Sequence, residues 1–225
     1  MTELYIASTV PLENDAFFAE RLTAVCAERR ARVEKIRRAD ERRRSLGAEL
    51  LLQRVLVRYG IMEYTIARGV HGKPYLVGQE GLFFNLSHAG EYALCAVCDK
   101  EIGCDIERID PEINLSVADR FFTPEESAWI RDAHTQVESI DRFFRLWTLK
   151  ESLIKATGKG FAISPRAFSF AMEGASPRII SPVAEYAPYT LSEPIVPRGY
   201  RAAVCSAALI DESLHPVEIN IETPC

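Results

Sequence analysis

The sequence predicts an α+β fold made of two similar halves related by a pseudo-twofold axis. Three observations lead there: helical periodicity over 14–58 and 140–157, short alternating stretches that follow each helical region, and a recurring order of these elements along the chain. The N-terminal half is expected over residues 1–103 and the C-terminal half over residues 104–225. Hydrophobic residues make up 48% and charged residues 26%, so a packed core is feasible and disorder is not expected.

In chain order, Leu4–Ala7 reads as a strand. A helical pattern runs from Asn14 to Arg38, with Asn14 as its cap, and a second runs from Asp40 to Arg58 and stops at Gly60. Strand-like pieces follow at Leu82–Leu86, Tyr92–Cys98 and Ile102–Ile109. Thr123-Pro124-Glu125-Glu126 opens a helix, with threonine as cap and proline in the first turn. A long helix covers Ile140–Thr157 and ends at Gly158; short strands follow near Phe168–Met172, Tyr200–Leu209 and Val217–Ile221.

The recurrence is one of order more than identity. A helix, Gly72-Lys73-Pro74, Phe83-Phe84 and Gly90–Val97 in the first half match a helix, Gly158-Lys159-Gly160, Phe168-Ser169-Phe170 and Gly199–Cys205 in the second. Helix followed by strands also arises by chance. If the halves are real, the site lies between them.

A net charge of −5 argues against a dedicated nucleic-acid binder. The N-terminus has no basic region followed by an apolar run, and no stretch is long and apolar enough to span a membrane, so a cytoplasmic protein is expected. Cys95 and Cys98 form a C-x-x-C, but on a strand residues three apart face opposite ways, which reads against a zinc or redox pair.

Within Ile102-Gly103-Cys104-Asp105-Ile106-Glu107, alternation places Asp105 and Glu107 on one strand face. Adjacent carboxylates repel unless a cation neutralises them, and hard oxygen donors suit magnesium. A solvated strand face is the competing explanation. On the long helix, Leu146, Leu149, Leu153 and Ala156 form the core stripe, and Glu151 lies off it beside Trp147 and Ile154. Lys155 is about 40° from Glu151 around the helix and Lys150 about 100°, so Glu151 and Lys155 share a face. A third feature is the segment Arg29–Arg44, with nine Lys or Arg against three acids in a chain of net charge −5. Such a patch suits a small polyanion or an acidic partner. Gly72-Lys73-Pro74-Tyr75 and Asn85-Leu86-Ser87-His88-Ala89-Gly90 offer a cation, a hydroxyl and an imidazole at strand ends.

Together these motifs resemble the 4′-phosphopantetheinyl transferase superfamily, in its Sfp-like single-chain group. The family pattern (I/V)-G-x-D-(I/V)-E, then (F/W)-x-x-K-E-(A/S)-x-x-K, is met at 102–107 and 147–155. Gly72-Lys73-Pro74, Phe84–Gly90 and Arg120-Phe121-Phe122-Thr123-Pro124-Glu125-Glu126 are similar to further family boxes, so the resemblance covers roughly 30–170.

The resemblance implies that the chain moves the phosphopantetheine arm of coenzyme A to a serine of an apo acyl or peptidyl carrier protein, releasing adenosine 3′,5′-bisphosphate. It implies Asp105, Glu107 and Glu151 as Mg2+ ligands, and Glu151, Lys155 and Glu126 as catalytic groups. Coenzyme A would be bound by Arg32, Lys35, Arg44, Ser45, Lys73, Pro74, Ser87, His88, Asp105 and Lys155. Arg32 stands where relatives often carry lysine. A monomer is expected, with no nucleic-acid or membrane partner. The alternative is a non-catalytic module that binds coenzyme A or the carrier. Residues 176–197 carry no family motif.

Overall fold

The computed structural model describes residues 1–172, 177–180, 184–211 and 213–223. Mixed helix and sheet is observed, as expected. The first part runs β1 (Glu3–Ser8), α1 (Asp15–Ala24), α2 (Ala27–Lys35), α3 (Ala39–Arg58), β2 (Ile66–Arg68), β3 (Pro74–Leu76), β4 (Phe83–Ala89) and β5 (Tyr92–Cys98). Next come β6 (Ile102–Arg108), α4 (Ala118–Phe121), α5 (Pro124–Arg131) and α6 (Gln136–Thr157). The chain continues through β7 (Phe170–Ala171), β8 (Arg178–Ile179), β9 (Thr190–Ser192), β10 (Tyr200–Ser206) and β11 (Pro216–Glu218).

One sheet has the order β11-β1-β5-β4 and another β6-β10-β9. The pairs β1/β5 and β6/β10 are antiparallel, with Tyr5 opposite Cys95 and Asp105 opposite Ala203. The sheets therefore divide ahead of β6, and Ile102 and Gly103 go with the second. β11 crosses back to pair in parallel with β1. The expected division into 1–103 and 104–225 thus cuts β6, and its second half is not one contiguous piece of sheet.

Alternation explains the layers. Tyr5, Cys95 and Val97 pack against Leu46, Leu50 and Leu51 of α3. The opposite faces of the two sheets meet each other through Leu4, Leu94 and Cys98 against Ile102, Cys104, Ile106 and Val204. Ala203 and Cys205 face Leu146, Leu149 and Leu153 of α6. Cys95 and Cys98 thus lie in different cores, and both are free thiols.

Gly103 is required by close approach. A Cβ there would stand 2.1 Å from the Ser152 carbonyl oxygen and 2.3 Å from the Ala156 nitrogen, both backbone atoms of α6. Gly103→Ala is expected to push α6 off β6 and destabilise the fold by about 2–3 kcal/mol. A melt unchanged from wild type would refute this contact.

The expected helix over 14–38 breaks twice. Asn14 does cap α1, accepting from Phe17 N–H at 3.0 Å, but Val25 turns extended and is buried in the α3 core. Burying that side chain wins over helical continuity. Lys35 ends α2, and Ile36 is extended. The helix α6 begins at Gln136, ahead of the expected Ile140, because Thr135 accepts from Glu138 N–H. Gly158 ends it with a left-handed φ of 68°. The Thr123/Glu126 capping box opens α5 as read. The three-residue strands β2, β3 and β9 were too short for any alternation to register. Among the described residues, no helix is long and apolar enough to cross a membrane.

Candidate active site

The contact of β6 with α6 builds the centre of the site. Because Gly103 lets the helix lie close, the next residues on the same strand face, Asp105 and Glu107, point at the helix. Lys155 Nζ reaches Asp105 Oδ1 at 2.6 Å. Ser87 Oγ of β4 donates to the same oxygen at 2.9 Å and accepts from Lys155 at 3.2 Å. Ser87 is held in turn by the Ile106 N–H at 3.3 Å, while Asn85 Oδ1 accepts from Cys104 N–H at 2.9 Å. These two β4 side chains thus fasten β4 to β6. Trp147 Nε1, two turns of α6 away from Lys155, donates to Glu107 Oε1 at 3.3 Å.

The electrostatics show uncompensated negative charge. Burial raises Asp105 above the usual carboxylate range despite Lys155 and Ser87. Burial and the Asp105 charge push Glu107 up to about 7, with Glu151 adding to the shift. Glu151 is raised by burial and by Asp105. Burial alone would depress Lys155, but Asp105 outweighs it and holds the ammonium above its ordinary value. Asp105 Oδ2 is buried and, among the described residues, has no hydrogen-bond partner. An orphaned carboxylate oxygen beside two carboxyls with raised pKa fits a hard cation. Among the described residues, no three His, Cys, Asp or Glu side chains are gathered closely enough to form a closed metal site.

A cleft of about 410 Å³ opens beside this centre, lined by Glu151, Lys155, Trp147, Phe121, Leu86 and Pro74 among others. Pro74 and Leu86 also line a second cleft of about 550 Å³, whose walls carry Arg29, Arg32 and Arg68. Burial depresses Arg68, and the charges of Arg32 and Arg29 depress it further, so these cations stand within reach of one another. His88 is depressed by desolvation and by Arg44, Lys155 and Arg29, which brings the N-terminal cations close to the β6–α6 centre.

The other expected residues are placed as follows. Arg44 of α3 pairs with Asp40 at 3.1 Å. Ser45 accepts from Arg29 Nη2 through both its carbonyl oxygen (2.7 Å) and its hydroxyl (3.0 Å). Lys73 bridges Glu101 at 2.5 Å and the Ala156 carbonyl at 2.9 Å, tying β3 to the end of α6. Among the described residues, neither Arg32 nor Lys35 has an acidic partner, and Lys35 is exposed.

Glu126 is where the structure differs from the catalytic role implied for it. One carboxylate oxygen meets Lys150 Nζ at 2.8 Å and accepts from Thr123 N–H at 2.9 Å; the other accepts from Phe170 N–H at 3.0 Å. It is buried in the α5–α6 core with its acceptor sites occupied, so it holds structure and does not enter the Asp105 cluster. Lys150, read as a flank residue, is its buried partner. Arg29 was read only as one member of the basic segment, and Arg68 was not singled out. Nothing in the local pattern separates Arg29 from the eight neighbouring cations, and Arg68 lies on a strand too short to recognise.

Two family models match: one described as the 4′-phosphopantetheinyl transferase superfamily over residues 101–205, and one as 4′-phosphopantetheinyl transferase, N-terminal, over residues 11–100. A 4′-phosphopantetheinyl transferase of Bacillus subtilis is 32% identical over 189 residues, 83% of this chain and 84% of the relative. The 4′-phosphopantetheinyl transferase gsp of Aneurinibacillus migulanus is 32% identical over 185 residues, 81% and 76% of the two chains. The 4′-phosphopantetheinyl transferase HetI of Nostoc sp. is 35% identical over 165 residues, 68% of each. On these similarities, and with its acidic centre set against a cationic cleft, the chain belongs to the 4′-phosphopantetheinyl transferase superfamily.

Proposed function

We propose that this protein transfers the 4′-phosphopantetheine group of coenzyme A to a serine of an apo acyl or peptidyl carrier protein, leaving adenosine 3′,5′-bisphosphate. The observation that carries the reading is the Lys155–Asp105 contact of 2.6 Å, beside the orphaned Asp105 Oδ2 and at the edge of a cleft that continues into a wall of arginines. The serine oxygen attacks the β-phosphorus as its bond to the adenosine 3′,5′-bisphosphate oxygen breaks. Glu151 accepts the serine proton; its raised pKa suits a base. Lys155 meets the charge that grows on the departing phosphate. Arg32, Lys35, Arg44, Lys73 and His88, with Ser45 and Ser87, orient the phosphates, and Pro74 lines the passage between the clefts. Asp105, Glu107 and Glu151 would hold Mg2+, which when bound supplies charge neutralisation and polarisation of the diphosphate.

The strand orders β1-β5-β4 and β6-β10-β9, each sheet covered by one long helix, support two halves related by a pseudo-twofold. Buried free thiols support a cytoplasmic setting, in which the chain would act as a monomer. The test is intact mass of candidate apo carriers after incubation with coenzyme A, Mg2+ and this protein. A gain of one phosphopantetheine is expected. Coenzyme A consumed without an acceptor would point to a hydrolase, and no turnover with tight binding to a binding module.

A pH dependence follows. The carboxyl of Glu107 is raised to about 7 in the folded state and those of Asp105 and Glu151 are raised as well, so above their unfolded values the native protein binds more protons than the unfolded one, for Glu107 up to about 7. Stability then falls as pH rises through this window. His88, depressed, acts in the opposite sense only below its unfolded value near 6.5. Melts without divalent metal are expected to drop between pH 6.5 and 8, and added Mg2+ to raise them more at pH 8 than at pH 6.5. A Mg2+ shift independent of pH would count against the carboxylate site.

A further inference from the structure

We propose that Glu49, together with Tyr64, is a positioning residue for anion recognition, fixing at the wall of the second cleft the Arg29 guanidinium, which in turn holds the Ser45 hydroxyl. The inference rests on coenzyme A being the substrate. Glu49 lies on α3 and is only 5% exposed. One carboxylate oxygen is 3.2 Å from Arg29 Nε, an ion-pair contact without hydrogen-bond geometry, and the other accepts from Tyr64 O–H at 2.9 Å. Burial and the Glu49 charge push the Tyr64 phenol well up, so it stays a donor. Arg29 in turn donates to both the carbonyl and the hydroxyl of Ser45. One buried carboxylate therefore binds together α2, α3 and the segment leading into β2.

The cleft needs such a group. Arg29, Arg32 and Arg68 share its wall, and Arg68 is depressed by burial first and then by the charges of Arg32 and Arg29. Without an opposing charge, Arg29 would be held only by the bonds of its Nη2 to Ser45. With Glu49 in place, the guanidinium is fixed before a phosphate arrives, and the rotamer entropy that binding would otherwise cost is already lost. The bond to Ser45 sets that hydroxyl at the same time. Glu49 acts through Arg29 and touches no reacting atom.

The test is calorimetric titration of coenzyme A into wild type, Glu49→Gln, Arg29→Ala and the double variant, with steady-state kinetics alongside. Glu49→Gln is expected to weaken coenzyme A about tenfold and raise its KM to match, with kcat at saturation and the carrier KM within about twofold. In the Arg29→Ala background the same change should add nothing, because its route to the ligand is gone. Tyr64→Phe, which removes only a hydroxyl, should weaken binding about threefold and serves if Glu49→Gln does not fold. Unchanged affinity in both single variants, or full additivity with Arg29→Ala, would overturn the proposal. Wild-type protein that binds no coenzyme A would instead sink the functional reading, and this inference with it.

Discussion

Asp105→Ala is expected to slow single-turnover transfer by a hundredfold or more, roughly the loss seen when a charge-stabilising group is removed from an active site, while the thermal melt stays near wild type. The two effects separate because of how Asp105 is held. Its Oδ1 anchors Lys155, and its Oδ2 has no partner among the described residues. Burial already raises its pKa, so the ionised carboxylate is a strain on the folded state at neutral pH. Removing it deletes an ion pair and a desolvation penalty together. Lys155, partly exposed on the cleft, keeps access to water. Lys155→Ala should slow the same step, with saturating coenzyme A and carrier, because the growing charge on the leaving group loses its partner. Full activity of Asp105→Ala, or of the wild type in excess chelator, would refute the assignment of this centre.

Lys150→Ala is expected to destabilise the protein by about 3–5 kcal/mol, the usual consequence of stripping one partner from a buried pair. The melt should then fall on the order of 10 °C in a chain of this size. Lys150 is 1% exposed. Its ammonium meets Glu126 at 2.8 Å, the Pro165 carbonyl at 2.7 Å and the Phe168 carbonyl at 2.8 Å, over the ring of Phe168. Removing it leaves Glu126 charged and buried beneath the segment that follows α6. Lys150→Met combined with Glu126→Gln should recover part of the loss, since no bare charge is left. Any activity that Lys150→Ala loses should return at lower temperature, where the folded fraction is restored. A Lys150→Ala variant that melts like wild type but transfers slowly would mean that Lys150 works in the cleft instead.

The periodicity of the long helices and the alternation of the strands were local facts and could be read directly. Asn14, Thr123, Gly60 and Gly158 marked helix ends because capping chemistry needs only neighbouring residues. Alternation along 102–107 put Asp105 and Glu107 on one face, and helical geometry put Glu151 and Lys155 together. Their meeting depends on Gly103, whose missing Cβ admits α6, and that requirement appears only when strand and helix are packed. Lys150 and Glu126 show the same limit from the other side. The resemblance implied a catalytic Glu126, and helical geometry set Lys150 off the Glu151–Lys155 face; that the two are buried together follows from α5, α6 and the segment through Phe170 converging there. Arg29 was one cation among nine until Glu49 and Ser45 of another helix fixed it. The sequence by itself determined the elements, the motifs and the chemical types that the site offers. The tertiary structure decided which charges meet, because burial and partnership are set by contacts between segments far apart in the chain.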